Sequence, residues 1–366
     1  MMYTNAGWAG ACVPVSATPP KSEIALSSTP LRARVQPAHA ESLSAFSGPN
    51  QRAQVHQLSE REWALVERAF NALPALHRQI LQRRLARLSF VDAPWSPGTA
   101  LTREYDGADG KPLFDITVRG DVLETSLSDF LTGKDARLFT ADASGYRLQL
   151  DAGALPALEY LLLHEATHVV DRTLKITADG GPFREMWADY RSLAAPLDRG
   201  PLAHSVYRRK PSRPLSEAPA LYGALAESSF VSLYSTASAG EDFAELVAWR
   251  ELSRRADVTL TVWIRDSSGD VVARVDPLAS PQVRARMDKA NAILMEVAQP
   301  PCSESSCTIR KQASAAHLKP CLATRECSQT FRNGITLEAT HCTIDGAAAF
   351  GNQADGTELL LRKRSR

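Results

Sequence analysis

From residue 58 onward the apolar positions fall on helical spacing. Trp63, Val66 and Phe70 form one stripe, and Leu76, Ile80, Leu81, Leu85 and Leu88 form another, with Arg and Gln outside both. Ser59 and Glu62 make a capping box that opens the first helix, over residues 59–70, and Pro74 opens a second that extends to residue 88. Over residues 90–150 the period shortens toward two, punctuated by turn signals at Asp106-Gly107, Asp109-Gly110, Gly120-Asp121 and Ser144-Gly145. Strands are predicted over residues 113–118 and 146–150. In the second, Tyr146, Leu148 and Leu150 alternate with Arg147 and Gln149, the pattern of a strand with one wet face. If its edge is open it could add an extended peptide through main-chain hydrogen bonds; the plainer alternative is pairing only within its own sheet.

A longer apolar run covers residues 154–174, with Pro156 in the first turn, and predicts one continuous helix. Residues 183–195 after Pro182 read as a further amphipathic helix, and residues 238–249 as another. Between these two, residues 196–219 are rich in Pro and Arg and predict a long surface connection, with Tyr207-Arg208-Arg209-Lys210 on a solvated loop. The expected organisation is a disordered Ala/Ser/Pro-rich segment over residues 1–57, a domain over 58–297 and a tail over 298–366. Within the domain, 58–90 is a helical lead-in, 91–175 a sheet with the long apolar helix, and 176–297 a helical subdomain. The fold class expected from these elements is α+β.

The chain has 366 residues and is 44% hydrophobic, enough to bury the core of an enzyme. Its 42 Lys+Arg against 41 Asp+Glu leave a net charge of +1, which removes the electrostatic case for nucleic acid or an anionic membrane as partner. No apolar stretch reaches transmembrane length, and no basic region followed by an apolar core marks a leader. The composition of residues 1–50 nevertheless resembles a tether behind a leader, so the expectation leans to export or a bacterial cell envelope, with the cytoplasm left open. Ala9-Gly10-Ala11-Cys12 is a poor version of a lipoprotein box. The remaining cysteines, Cys302, Cys307, Cys321, Cys327 and Cys342, cluster in the tail without the paired C-x-x-C of a zinc ribbon. Two bridges with one free thiol and a poorly ordered tail are the two expectations for it.

The chemistry is concentrated in His164-Glu165-Ala166-Thr167-His168, inside the long apolar helix. Residues four apart on a helix point the same way, so His164 and His168 can bind one metal ion while Glu165, about 100° round the helix, can face water. With 8 His in 366 residues, chance places the pattern in roughly one chain in a hundred. A buried structural His pair is the plain alternative, and a Glu inside the same apolar run speaks against it. Zinc is the metal expected. A catalytic zinc takes three protein ligands, and the best source of the third is the helix over residues 238–249, where Glu241 and Glu245 stand one turn apart beside Ala244 and Ala248. Glu241 as ligand, with Glu245 hydrogen-bonded to a ligand histidine, is the expected assignment. The reverse assignment, Asp171 as ligand, and two purely structural acids are the alternatives.

His164-Glu165-x-x-His168 followed by Glu241-Asp-Phe-Ala-Glu245 resembles the gluzincins, the Glu-ligated zinc metallopeptidases, over roughly residues 145–255. The run Tyr234-Ser-Thr-Ala-Ser-Ala-Gly-Glu241 is similar to the anthrax lethal factor type of catalytic domain. That resemblance implies a zincin-like fold, a small mixed sheet over the motif helix and a helical subdomain carrying the third ligand. It also implies a peptide or protein substrate, Glu165 as general base and Tyr234 as a donor to the developing oxyanion. The chain departs from the compact pattern in the 72 residues between His168 and Glu241. Two other functions stay open on sequence: a peptidase-like zinc protein that binds a peptide or partner without catalysis, and a zinc amidohydrolase acting on a non-peptide amide or ester.

Overall fold

The computed structural model describes residues 29–107, 110–208, 210–255 and 257–298, together with five strands between residues 308 and 364. Contacts divide the chain into a unit of residues 1–296 and a unit of residues 297–366. The first unit is α+β.

Order is present by Thr29, which corrects the expectation of disorder up to residue 57; residues 1–28, with Cys12, lie outside the described residues. The physical reason is Arg34. Its guanidinium is buried and donates to Leu81 O (2.8 Å), Leu85 O (2.6 Å), Gln82 O (2.8 Å) and Thr29 O (2.9 Å). It thereby adds a donor to carbonyls near the end of a helix, where intrahelical partners run out. Helix α1 (Ala40–Phe46) follows, and Phe46 packs with Ala53, Val91 and Ala93 against Leu43 and Leu101.

Helix α2 (Glu60–Ala72) starts at the capping box: Ser59 Oγ accepts from Glu62 N, and Glu62 Oε2 accepts from Ser59 N at 2.7 Å. Helix α3 (Ala75–Arg84) stops four residues before the predicted end, and the chain runs straight into a strand over Leu85–Asp92. Leu81, Leu85 and Leu88 fit a helical spacing. Pairing with a buried strand and the Arg34 cap decide for the strand, a case of tertiary context overriding local pattern.

The main sheet has four strands in the order β1-β2-β4-β3, with β1 at Gln54–Val55, β2 at Leu85–Asp92, β3 at Ala100–Asp106 and β4 at Pro112–Arg119. Strands β2 and β4 run parallel, with Leu88 opposite Ile116; β3 and β4 form an antiparallel pair, with Thr102 opposite Ile116. Strand β3 is therefore an edge. Helices α2 and α3 and helix α5 (Ala157–Leu174) pack together, and α5 also lies against β3 and β4.

A smaller antiparallel sheet has the order β6-β8-β9, with β6 at Arg147–Asp151, β8 at Thr261–Arg265 and β9 at Val271–Val275. The predicted strand over residues 146–150 is there, but its outer edge is closed where it leads toward α5. Thr132 Oγ1 of helix α4 (Leu127–Ala136) donates to Leu150 O (3.2 Å) and accepts from Leu150 N (2.9 Å). Ser128 Oγ does the same for Gly153 O (3.0 Å) and Ala152 N (2.9 Å).

Residues 183–195 do not form the predicted helix. Asp189 Oδ1 accepts from Arg191 N and Ser192 N, both at 2.7 Å, and turns the chain back so that Ala188 N reaches Ser192 O and Ala194 N reaches Met186 O. An Asp that captures the amides following it competes directly with a helix. Phe183 and Trp187 are buried all the same. The Pro- and Arg-rich stretch is a string of short 3-10 turns with strand β7 (Arg213–Pro214), paired to β5 (Phe139–Thr140), and it ends in helix α6 (Ala218–Ala226). Tyr207 is not on a solvated loop: it is buried, and Arg208 donates to Thr236 O and Ala237 O. Helices α7 (Ala239–Leu252) and α8 (Pro281–Val297) complete the unit.

The second unit, expected as a poorly ordered tail, carries antiparallel strands β10 (Thr308–Ile309), β11 (Thr324–Thr330), β12 (Thr336–Ile344), β13 (Ala347–Phe350) and β14 (Leu361–Arg364). Cys327 lies on β11 and Cys342 on β12; Cys302, Cys307 and Cys321 lie outside the described residues. Among the described residues no helix is long and apolar enough to cross a membrane.

Candidate metal centre

Two buried helices, α5 and α7, pack on each other and bring the centre together. In α5 every residue from 157 to 171 is buried, so the helix is core on all sides and its polar residues must find partners inside the protein. Its first turn is tied by Glu159, which pairs with Arg68 (3.0 Å) and Arg255 (2.7 Å). Its last turn closes on Lys175 in the left-handed conformation. Helix α7 begins at Ser238, whose Oγ accepts from Glu241 N at 3.2 Å. A Cβ at Gly240 would stand 2.5 Å from Tyr190 Oη, so a larger residue there would displace the Tyr190 ring.

The structure brings together His164, His168 and Glu241, whose ligand atoms all lie within 4.8 Å of one another, and all three residues are buried. Glu241 Oε2 is 2.9 Å from His164 Nε2 and 3.3 Å from His168 Nε2. Three ligands around a tetrahedral zinc stand about 3.4 Å apart, so the spacing fits a metal. His168 Nε2 is buried with Glu241 Oε2 beside it, as two ligands of one ion would be. These three residues could hold a metal ion.

Glu245, one turn on, is enclosed by donors. Tyr160 Oη, Ser232 Oγ (2.6 Å) and Trp249 Nε1 (3.3 Å) donate to its carboxylate, and Oε1 lies 3.0 Å from His164 Nδ1. A carboxylate this fully engaged is suited to orienting His164, and Glu241 faces both Nε2 atoms instead. Asp171 is occupied locally, accepting from Thr177 N (2.7 Å) and Thr177 Oγ1 (2.6 Å).

The electrostatics favour a cation in the centre. Burial alone would drive the His164 imidazole down, but hydrogen bonds and charge from Glu241 and Glu245 outweigh it and push it up to about 10. Burial acts to raise Glu241, yet the charge of His168 and the hydrogen bonds of both histidines hold it well below the usual carboxylate range. Glu245 is likewise brought down to about 2, against burial, chiefly by His164 and Lys134.

Glu165 is buried, and its Oε2 accepts a hydrogen bond from Thr102 Oγ1 of strand β3 at 2.5 Å. Tyr234, in the 3-10 turn Tyr234–Thr236, is half-buried, and its ring lies 5.7 Å from the His164 ring and 5.0 Å from the Tyr207 ring. Thr167, between the two histidines, donates to Leu163 O (2.7 Å) and is 3.0 Å from Nε2 of His77, a histidine that burial holds down to about 4 and so keeps neutral.

Thr102, His77 and Lys134 were not singled out from the sequence. Thr102 stands on a short alternating strand 63 positions before Glu165, and nothing in the local pattern ties the two. Lys134, on α4, places Nζ 3.4 Å from the Tyr234 ring centroid and reads in sequence as one more solvated lysine. Comparisons with protein-family models, with curated proteins and with solved structures find no match.

Proposed function

We propose that this chain is a zinc-dependent peptide-bond hydrolase, a metalloendopeptidase of zincin-like architecture. The observation that carries the proposal is the convergence of His164, His168 and Glu241 on one point from two buried helices, with Glu165 in the same helix as the two histidines. A zinc ion held by these three residues supplies Lewis acidity, polarising a carbonyl and making water a nucleophile near neutral pH.

The chain's own groups do the rest. Glu165 takes a proton from the attacking water and passes it to the leaving amine. Thr102, by holding Oε2, fixes the carboxylate and leaves Oε1 for that transfer. Glu245 holds the His164 ring through Nδ1. The Tyr234 phenol, beside His164, donates to the carbonyl oxygen as it gains charge. Strand β3 is an edge and carries Thr102, so an extended peptide pairing with it would lie next to Glu165, a role the sequence left open for residues 146–150.

The test is cleavage of a peptide library and of small amides by the wild-type chain and by Glu165→Gln, both loaded with zinc. Peptide cleavage lost in the variant supports the proposal. Cleavage of small amides alone would replace it with an amidohydrolase, and cleavage retained by Glu165→Gln would remove Glu165 as the base.

A further inference from the structure

Helix α4 contributes a cation to the centre that the proposed mechanism does not use. Lys134 Nζ lies 3.4 Å from the centroid of the Tyr234 ring and 6.0 Å from the centroids of Phe130 and Tyr207. An ammonium above an aromatic face within about 6 Å is attracted by the ring quadrupole, and most strongly where water is thin. Burial lowers the Lys134 pKa from its ordinary value, and the charges of Glu245, Asp135 and Glu241 oppose that shift in part.

The neighbouring residue anchors the same helix end. Asp135 is buried and accepts from Tyr207 Oη (2.8 Å) and Tyr222 Oη (2.7 Å). The Tyr207 ring in turn stands edge-on to Tyr234, at 5.0 Å and 67°. Two consecutive residues of α4 therefore bear on one phenol, Lys134 directly and Asp135 through Tyr207. That ring also leans on His164, at 5.7 Å and 32°.

We propose that Lys134 is a positioning residue for Tyr234, its ammonium fixing the phenol ring beside His164 in the orientation from which it donates to the reacting carbonyl. This role rests on the metallopeptidase reading above. It makes a specific claim about rate: fixing a donor used in the transition state changes kcat and leaves KM almost alone.

The test compares Lys134→Met, which keeps the length and removes the charge, with Lys134→Arg, which keeps a cation, in wild-type and Tyr234→Phe backgrounds. Lys134→Gln is the second neutral variant should Met pack badly. The expected result is a fall in kcat of roughly tenfold, about 1.4 kcal/mol, with KM and zinc content unchanged, restored by Arg and absent when Tyr234 is already Phe. A rise in KM at constant kcat would overturn the role by making Lys134 a substrate contact. An equal loss in the Tyr234→Phe background would overturn it too, because Lys134 would then act elsewhere. A second readout needs neither zinc nor turnover: with 3-fluorotyrosine incorporated and the Tyr234 signal assigned by its loss in Tyr234→Phe, the fluorine resonance should move in Lys134→Met and return in Lys134→Arg. An unmoved signal overturns the contact itself. A wild-type chain without zinc or cleavage, with the fluorine shift intact, places the failure in the metallopeptidase reading.

Discussion

Glu241 and Asp242 are neighbours on α7, both buried, and they meet opposite environments. Asp242 is closed by permanent parts of the chain: Arg286 donates to Oδ1 at 3.1 Å and to Oδ2 at 2.6 Å, and Trp187 Nε1 donates to Oδ2 at 2.8 Å. Burial works against the Arg286 charge, but Asp242 and Glu185 outweigh it and raise the guanidinium further. Glu241 meets two imidazoles, groups that carry charge only conditionally and that bind metals when neutral. The comparison separates two uses of a buried acid. One brings its own cation and joins α8 to α7; the other is arranged so that a cation can be taken up.

The largest effect expected from breaking this comparison is on the Glu241 side. Glu165→Gln should keep all three metal-binding residues and lower peptide cleavage by about 10³-fold, measured as kcat with zinc content checked in the same sample. On the Asp242 side, Arg286→Met leaves a buried carboxylate without its cation and should cost about 3–5 kcal/mol of stability, read by denaturant unfolding, with zinc per folded chain unchanged. If that variant lost zinc in proportion to stability, the two faces of α7 would be one functional unit and the comparison would fail. Glu245→Gln sharpens it further: zinc affinity should weaken by about 10–100-fold in a competition titration, with the fold retained.

The smallest expected effect lies outside both faces. His56 Nδ1 is 2.7 Å from Asp92 Oδ1, and its Nε2 is 3.0 Å from Glu62 Oε1. Burial works against its charge, and the two acids outweigh burial and raise its pKa. The folded value thus lies above the unfolded one of about 6.5. The stabilisation is therefore full below the unfolded value and is lost as pH rises through the folded one. Melting temperature should fall modestly across that window in the wild type, and the fall should be absent in His56→Gln.

What was legible in the sequence follows from periodicity and local chemistry. The motif helix, the capping box at Ser59 and the spacing of Glu241 and Glu245 are all set by residues three or four apart, and the structure places them as read. What was not legible depends on partners far along the chain. Arg34 ends α3 from 47 positions away, and Asp189 redirects a segment whose apolar spacing alone reads as helix. Thr102 and Lys134 reach the centre only because β3 and α4 pack where they do. A strand's alternation shows that it has a wet face, and not whether Thr132 and Ser128 will close its edge.

The central claim is that His164, His168 and Glu241 form one metal site. Zinc stoichiometry tests it most directly, by elemental analysis of the wild-type chain and of Glu241→Ala after exposure to excess zinc and removal of the loosely bound ion. The account predicts about one zinc per wild-type chain and almost none in Glu241→Ala at unchanged secondary structure. A folded wild-type chain that retains no zinc, or a Glu241→Ala chain that retains it undiminished, would contradict the claim.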